Sequence, residues 1–350
     1  MSSFLLRRLL SLLPTLLGVA LITFLLMHAT PGGPWDQNAE KRISDESVEA
    51  ALNVQFGLNK PLFFNPAAAQ QALRENQNPL QIAQALFDGQ FFRYLDNLAH
   101  GNLGPSYRYR GRQVQDLLFQ PDEGRAFWQN RVTMTLLLGL FAMLLALLIG
   151  IPLGIAAGLK QNTIIDHAGL IFATLGYAIP SIIMGILLIY IFSVWLNVLP
   201  VLNFEYWDAW QPWLLPALAL ALPTAAYIAR LTRAQIIQVK QQDYIRTAHA
   251  KGLNENIIIL RHILRNALIP IVTFLGPALA ALITGSFIIE SQFGVNGIGV
   301  LFVDSINKRD YGVILALTLF YALLVALANL AVDLLYGFFD PRLRAGRKGA

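Results

Sequence analysis

The chain contains no cysteine, and only 13% of its 350 residues are charged. It can therefore form no disulfide and offers no thiolate nucleophile or thiolate metal ligand. Soluble domains carry about 25% charged residues, so the low charge, 55% hydrophobic content and mean hydropathy of +0.52 indicate an integral membrane protein. A Gly-Lys dipeptide is also missing. A phosphate-binding loop requires this dipeptide before Ser or Thr, so any ATP that drives the protein must be hydrolysed by another subunit.

Six apolar runs are each long enough for a transmembrane helix, which needs about 20 residues. None of them holds Asp, Glu, Lys or Arg in its interior. The third is longer than one span needs, so we expect a single tilted helix at 168–195 within it. The sequence therefore predicts an all-α integral membrane protein with six transmembrane helices. The runs are 9–27, 132–159, 168–199, 213–229, 267–289 and 311–332.

The first run has features of a secretory signal, because Arg7 and Arg8 precede it. However, its uncharged stretch is longer than the core of such a signal, which has about 7–15 residues. The residues that follow, 28–31 (His-Ala-Thr-Pro), make a poor small-x-small cleavage site. We therefore expect an uncleaved first span.

Basic residues of the short loops and termini collect on one side of this arrangement, whereas the opposite short loops hold only Lys308 and Arg309. Because positively charged loops stay in the cytoplasm, both termini and the 230–266 loop are predicted to be cytoplasmic. Orientation then accounts for the net charge of +5 without a nucleic-acid partner. The inner basic residues are Arg7, Arg8, Lys160, Arg230, Arg233, Lys240, Arg246, Lys251, Arg261, Arg265, Arg342, Arg344, Arg347 and Lys348.

The segment 30–131 is polar, and a loop of this length is translocated to the outer side of the membrane whatever its charge. It contains no group of residues that suggests catalysis or metal binding, so we expect it to shape the outer mouth of the membrane domain or to contact a partner there. Asn78 before Pro79 is a good start signal for one of its helices. Its predicted helices are 45–56, 67–76, 79–87 and 91–99, with a turn at 101–105.

The charge-free spans argue against a proton- or ion-coupled transporter, which generally keeps an ionisable group near the midplane. Asp166, Glu290 and Asp333 lie at span ends, where we expect water to solvate them. A structural role, or one at the helix terminus, is expected for each. The uncharged polar residues of the spans either form hydrogen bonds between helices or line a wide, weakly selective path, and the sequence leaves both open. The candidates for such a path are Thr174, Tyr177, Ser181, Thr224, Tyr227, Thr284 and Ser286; Thr273 is a further polar residue of these spans.

The inner loop 239–266 is built as two short helices. The first is predicted at 244–250, with Tyr244, Ile245 and Ala248 on one face. Gly252 is the expected left-handed end of that helix, and Asn254 is positioned to cap the second. The second helix carries a run of apolar residues, with basic residues at i, i+4 spacing on its polar side.

Two interpretations of this loop remain open from the residues alone. An interfacial amphipathic helix on anionic lipid explains the basic and apolar residues. A rigid pair of helices, continuous with two spans, would instead transmit the movement of a cytoplasmic partner into the membrane.

The stretch DYIRTAHAKGLNENIIILRHILRNALIP (243–270) resembles the cytoplasmic coupling loop, the EAA motif, of ATP-binding-cassette importer permeases of the dipeptide/oligopeptide branch. Further stretches, in the same order, are similar to the oligopeptide permease B subunits. They are Leu6-Arg7-Arg8 with the first span, HGNLGPSYRYRGRQVQDLL (100–118), LKQNTIIDH (159–167), ESQFGVNGIGVLFVDSINKRDY (290–311) and VDLLYGFFDPRLR (332–344).

The resemblance implies a type I importer permease fold with a long extracytoplasmic insert, in the inner membrane of a bacterium. It implies a non-enzymatic transport subunit for oligopeptides, with no cofactor of its own and with ATP and Mg bound by its partners. Those partners would be a second homologous permease, two ATPase subunits, an extracytoplasmic peptide-binding protein and membrane lipid. The ATPase-coupling residues implied are Asp243, Tyr244, Arg246, Thr247, Ala248, Ala250, Lys251, Gly252 and Arg261.

The implied division of the chain is 1–29 for the N-terminus and first span, 30–131 for the insert, 132–338 for the membrane core with its coupling loop 239–266, and 339–350 for a cytoplasmic tail. The chain departs from the family pattern at two places. Arg246-Thr247-Ala248 stands where the general motif has Glu-Ala-Ala, so the acidic contact of that motif is not carried over. The region 66–88 is longer than expected for this family.

Similar permeases carry dipeptides, murein peptides, peptide antibiotics or nickel complexes, and the sequence does not rank these substrates. An ion-coupled carrier and a non-conducting membrane anchor are the alternatives from other classes. The anchor leaves the two-helix loop unexplained.

Overall fold

The computed structural model describes residues 2–35, 46–109, 111–200 and 207–339 of the chain. Within these residues five helices are long and apolar enough to cross a bilayer, and a bent pair of helices forms a further candidate. When the pair is counted as one span, the expected all-α fold with six spans is confirmed. The predicted tail 339–350 lies outside the described residues except for its first position.

The helices follow one another along the chain with bounds close to the predicted runs. In chain order they are α1 (Ser2–Ala29), α2 (Glu46–Phe56), α3 (Pro66–Arg74), α4 (Pro79–Leu86), α5 (Gln90–Ala99), α6 (Val114–Phe119), α7 (Arg131–Leu159), α8 (Ile164–Ala178), α9 (Ser181–Leu188, continued by a π-helical turn Ile189–Trp195), α10 (Gln211–Lys240), α11 (Asp243–Ala250), α12 (Glu255–Ile257, continued by a π-helical turn Ile258–Leu264), α13 (Arg265–Ala267), α14 (Ile269–Phe293), α15 (Ile298–Asn307) and α16 (Tyr311–Phe339).

The third run is broken, and the expectation of one helix at 168–195 was wrong. The axes of α8 and α9 are bent by 108°. Pro180 accounts for the break, because proline has no N–H to donate and forces the preceding residue into extended backbone. Ile179 accordingly has φ −87° and ψ 117°.

One compact unit comprises Met1–Arg131 and Leu301–Leu323. Part of its core is aromatic, with the ring centroids of Phe24 and Phe91 5.2 Å apart. Asp310, only 1% exposed, accepts hydrogen bonds from the backbone N–H groups of Tyr107 at 3.0 Å and Arg108 at 3.2 Å. Burial, with the nearby Asp310 carboxylate, raises the pKa of the Tyr107 phenol.

The four helices predicted in the insert are confirmed to within two residues, apart from position 45, which lies outside the described residues. Asn78 caps α4 as expected. Its side chain accepts a hydrogen bond from the Gln81 backbone N–H at 2.8 Å, and the Gln81 side-chain oxygen accepts one from the Asn78 backbone N–H at 3.1 Å. Two short helices, α6 and α15, were not predicted. Their hydrophobic stretches are too short to show a clear period.

The other unit comprises Val132–Val300 and Leu324–Ala350, and α7 and α10 pack closely within it. Gly150, Gly154 and Gly158 follow one another at every fourth position of α7 and face α10. A Cβ on Gly150 would lie 2.7 Å from the Ala225 carbonyl oxygen, and one on Gly154 would lie 2.6 Å from that of Ala229. Small residues permit this approach, as they do in other membrane helix pairs.

Replacing Gly154 with alanine should therefore destabilise the protein. The added methyl group would force the two backbones apart, at a cost of about 1–3 kcal/mol. Thermal unfolding in mild detergent would measure the loss. Gly18→Ala in α1 is the matched control, because a Cβ there meets nothing within 4 Å. Equal midpoints for the two variants would contradict the close contact.

Candidate functional site

Residues 243–267, which we call the foot, fold back onto the end of α10. An eight-residue helix such as α11 is marginal by itself. Its Ile245 and Ala248 side chains are 2% and 5% exposed, and they pack in one cluster with Ile236 of α10 and Ile258 of the second foot helix. This packing makes the foot an extension of the membrane helix.

A tight turn joins the two foot helices, as predicted. Gly252 adopts φ +68°, the left-handed conformation that favours glycine, and its N–H donates to the His249 carbonyl oxygen at 2.9 Å. Asn254 caps the second helix by accepting the Asn256 N–H at 3.0 Å. The His249 ring lies 3.1 Å from a Glu255 carboxylate oxygen and so connects the two helices directly.

The outer face of the foot presents both charged and apolar side chains. Arg246 Nη1 and Asp243 Oδ1 lie 3.7 Å apart. An exposed ion pair of this kind contributes at most about 1 kcal/mol to the free energy of unfolding. The apolar Leu253, in the turn, and Ile257, in the second foot helix, are 39% and 43% exposed. An exposed face that combines charged and apolar side chains is typical of a surface that binds another protein. Eight of the nine candidate coupling residues are exposed somewhere on the foot: Asp243, Tyr244, Arg246, Thr247, Ala250, Lys251, Gly252 and Arg261.

The predicted shared face of Tyr244, Ile245 and Ala248 is confirmed for Ile245 and Ala248 but was wrong for Tyr244. The Ala248 side chain packs in the buried cluster with Ile245, so it stabilises the foot and is not on its exposed surface. Tyr244 does not share that buried face: its side chain is 42% exposed, and its hydroxyl accepts a hydrogen bond from the Asn266 amide at 2.9 Å. Tyr244 and Arg261 instead border a shallow hollow of about 660 Å³ on the second foot helix, together with Leu260, which is 65% exposed.

An ion pair connects α10 to the first turn of α8. Arg233 donates from Nε and, at 2.8 Å, from Nη2 to the two carboxylate oxygens of Asp166. The Asn162 backbone N–H adds a bond at 2.9 Å. Asp166 is only 1% exposed, so the expectation that water solvates it was wrong. Removal of one partner from such a pair leaves a buried charge unmatched.

A hollow of about 480 Å³ lies where α8 breaks into α9, and we call it the membrane hollow. The extended Ile179-Pro180 backbone opens the space between α8, α9, α10 and α14. The hollow brings together four of the seven candidate path residues: Tyr177, Ser181, Thr224 and Tyr227. Phe274 stacks on Tyr227 with a centroid distance of 4.5 Å. Its wall is therefore largely apolar, with three aromatic rings and a few hydroxyl groups.

The other three candidates lie away from the lining of the membrane hollow. Thr174 and Thr284 donate to carbonyl oxygens of their own helices, at 2.8 Å and 2.9 Å. Ser286 is fully buried and donates to Glu290 at 2.7 Å. Thr273 likewise donates within its helix, to Ile269, at 3.1 Å.

Glu290 is also fully buried, which corrects the expectation that it is solvated. Its carboxyl accepts the Thr135 hydroxyl at 2.8 Å and the Gly299 N–H at 2.7 Å. A Cβ on Gly299 would lie 2.7 Å from this carboxyl. The closely spaced glycines that follow Glu290 in the sequence are thus a signal of close approach to this carboxyl. The Asp333 side chain lies outside what the structure describes.

The chain is similar to known membrane components of transport systems. Residues 150–345 match the family described as "Binding-protein-dependent transport system inner membrane component". The dipeptide transport system permease protein DppB of Bacillus subtilis is 36% identical over 100% of both chains. The oligopeptide transport system permease protein OppB of Haemophilus influenzae is 36% identical over 98% of this chain and 100% of its own length. The glutathione permease protein GsiC of Salmonella paratyphi A is 36% identical over 98% and 99%.

The match covers more than half of the chain, and these relatives align along nearly their full length. The chain therefore belongs to the family of inner membrane components of binding-protein-dependent transport systems. Its recognition from the sequence as an ATP-binding-cassette importer permease is confirmed, and so is its location in an inner membrane.

Ala248→Asp and Ala250→Asp should separate the inner and outer faces of the foot. The first places a carboxylate in an apolar cluster, at a cost of about 1–3 kcal/mol or more. The second adds the same group on the exposed face. Limited proteolysis of residues 240–256 in detergent should be several times faster for Ala248→Asp and unchanged for Ala250→Asp. Equal rates would show that α11 is not held by its packing.

The Asp166–Arg233 pair predicts a double-mutant cycle. Asp166→Asn or Arg233→Gln alone should cost about 3–5 kcal/mol, because the remaining charge loses its partner. The double variant should cost less than the sum of the two, because it leaves no unmatched charge. The measurement is the free energy of unfolding in denaturant for the unmodified chain, the two single variants and the double variant. Additive effects would mean that the two side chains do not interact in the membrane-embedded protein.

Proposed function

We propose that the chain is a permease subunit of an ATP-driven importer of oligopeptides. The observation that carries this proposal is the foot, which packs on the end of α10 and whose outer face is charged, partly apolar and solvent-exposed. The printed names of the full-length relatives, which concern dipeptides, oligopeptides and glutathione, support a peptide substrate.

The proposed complex contains a second homologous permease, two ATPase subunits and an extracytoplasmic peptide-binding protein. ATP and Mg are bound and hydrolysed in the ATPases, and this chain carries no cofactor. Both of its termini and the foot face the cytoplasm, while 30–131 faces outward. The binding protein sets most of the selectivity, and the membrane hollow contacts the peptide weakly.

In this mechanism, closure of the ATPases moves the foot. Ile245 and Ala248 join the foot to α10, so α10 moves with it. The Asp166–Arg233 pair carries the displacement to the start of α8. The membrane hollow between these helices then opens to one side of the membrane or the other.

Anionic lipid is a second candidate partner, and it suits the second foot helix. Leu260 is 65% exposed there, next to Arg261, and Arg265 borders the same shallow hollow. This pattern is typical of a helix lying on a membrane surface. Lipid contact at this helix is compatible with an ATPase on α11.

Co-purification from membranes in mild detergent tests the proposal. The chain should bring two ATPases and a second permease with it, and Ala250→Asp should lose the ATPases while it keeps the permease. Thr163→Asp is the matched control: it adds a carboxylate at an exposed helix N-cap outside the foot, where aspartate is favoured. A chain that emerges alone, or as a homo-oligomer, would favour a self-sufficient carrier.

A further inference from the structure

An arginine lies at the edge of the membrane hollow, against two of its aromatic residues. Arg230 follows Tyr227 by three positions on α10. Its guanidinium carbon lies 5.3 Å from the ring centroid of Tyr177 and 5.7 Å from that of Tyr227. The two ring centroids are 6.3 Å apart. Contacts at these distances are cation–π interactions, which hold the arginine against the wall of the hollow.

Arg230 differs in its bonding from the next arginine of α10. Arg233 is engaged by Asp166, whereas Arg230 makes no ion pair or hydrogen bond within the part of the chain that the structure describes. Its side chain is exposed. Because no acceptor within the described residues takes up its N–H groups, these donors remain available. The edge of a guanidinium group matches the two oxygens of a carboxylate.

The surroundings suit a small peptide. The membrane hollow has a volume of about 480 Å³, within the range of small-molecule sites, and its wall combines aromatic rings with the Ser181 and Thr224 hydroxyl groups. Every linear peptide with an unmodified C-terminus carries one terminal carboxylate, whatever its side chains. A single arginine at the edge of the membrane hollow would recognise that group without selecting a sequence.

We propose that Arg230, held by Tyr177 and Tyr227, binds the free C-terminal carboxylate of the transported peptide as it passes through the membrane hollow. This inference rests on the proposed function. It goes beyond it by naming the chemical group that the path recognises and the side chain that recognises it.

Trialanine and trialanine amide, which differ only in this group, are the probes. The complete complex is reconstituted in proteoliposomes with saturating, peptide-loaded binding protein, so that the preference of the binding protein does not enter. Arg230→Gln should slow ATP-dependent uptake of the acid about tenfold, the order expected for one lost charge-assisted contact, and leave amide uptake unchanged. Lys160→Gln removes the same charge from an exposed position in the inner turn and should change neither rate.

The other outcomes are distinct. Equal slowing of acid and amide, or no slowing of either, would overturn the role of Arg230 and leave the importer proposal standing. Loss of the second permease from the purified Arg230→Gln complex would assign the residue to a subunit interface and also overturn the inference. If the unmodified complex takes up neither peptide with ATP, the proposed function itself fails.

Discussion

The close approach of the α7 and α10 backbones fixes the position of everything that α10 carries. Three glycines of α7 bring the two helices so near that an added methyl group at Gly154 would lie 2.6 Å from a carbonyl oxygen. Lipid tails are as apolar as the side chains of these helices, so the hydrophobic effect does not favour helix–helix contact over helix–lipid contact. Tight packing and hydrogen bonds must therefore hold the helices together. The glycine contact supplies the first, and the Asp166–Arg233 pair supplies the second.

From this fixed point α10 reaches both candidate sites. It lines the membrane hollow with Thr224 and Tyr227, and it ends at Lys240, just before the foot. The distance from Tyr227 to the end of α10 is about 20 Å, because an α-helix rises about 1.5 Å per residue. A continuous helix over that length transmits displacement with little bending. The foot and the membrane hollow are therefore connected by one element, which provides a direct route by which the proposed coupling can pass between them.

Much of this arrangement could be predicted from the sequence, because it depends on local patterns. Long apolar runs gave the spans, and Gly252 with Asn254 gave the turn of the foot. The break at Pro180 was missed because proline inside a membrane run is often tolerated, and only tertiary packing decides whether the helix bends or parts. The burial of Asp166 and Glu290 was missed for a similar reason. Their partners Arg233 and Thr135 are distant in sequence, so local reading treats the carboxylates as solvated.

The two buried carboxyls bear on how transport is driven. A carrier that runs on protons needs an ionisable group whose surroundings change as it binds and releases its ion. Asp166 is held by Arg233 and a backbone N–H, and Glu290 by two hydroxyls and a backbone N–H, so each is bound within the packing of its own unit. Neither lines the membrane hollow. These groups act as ties between helices, which agrees with the proposal that the free energy for movement comes from outside the chain, through the foot.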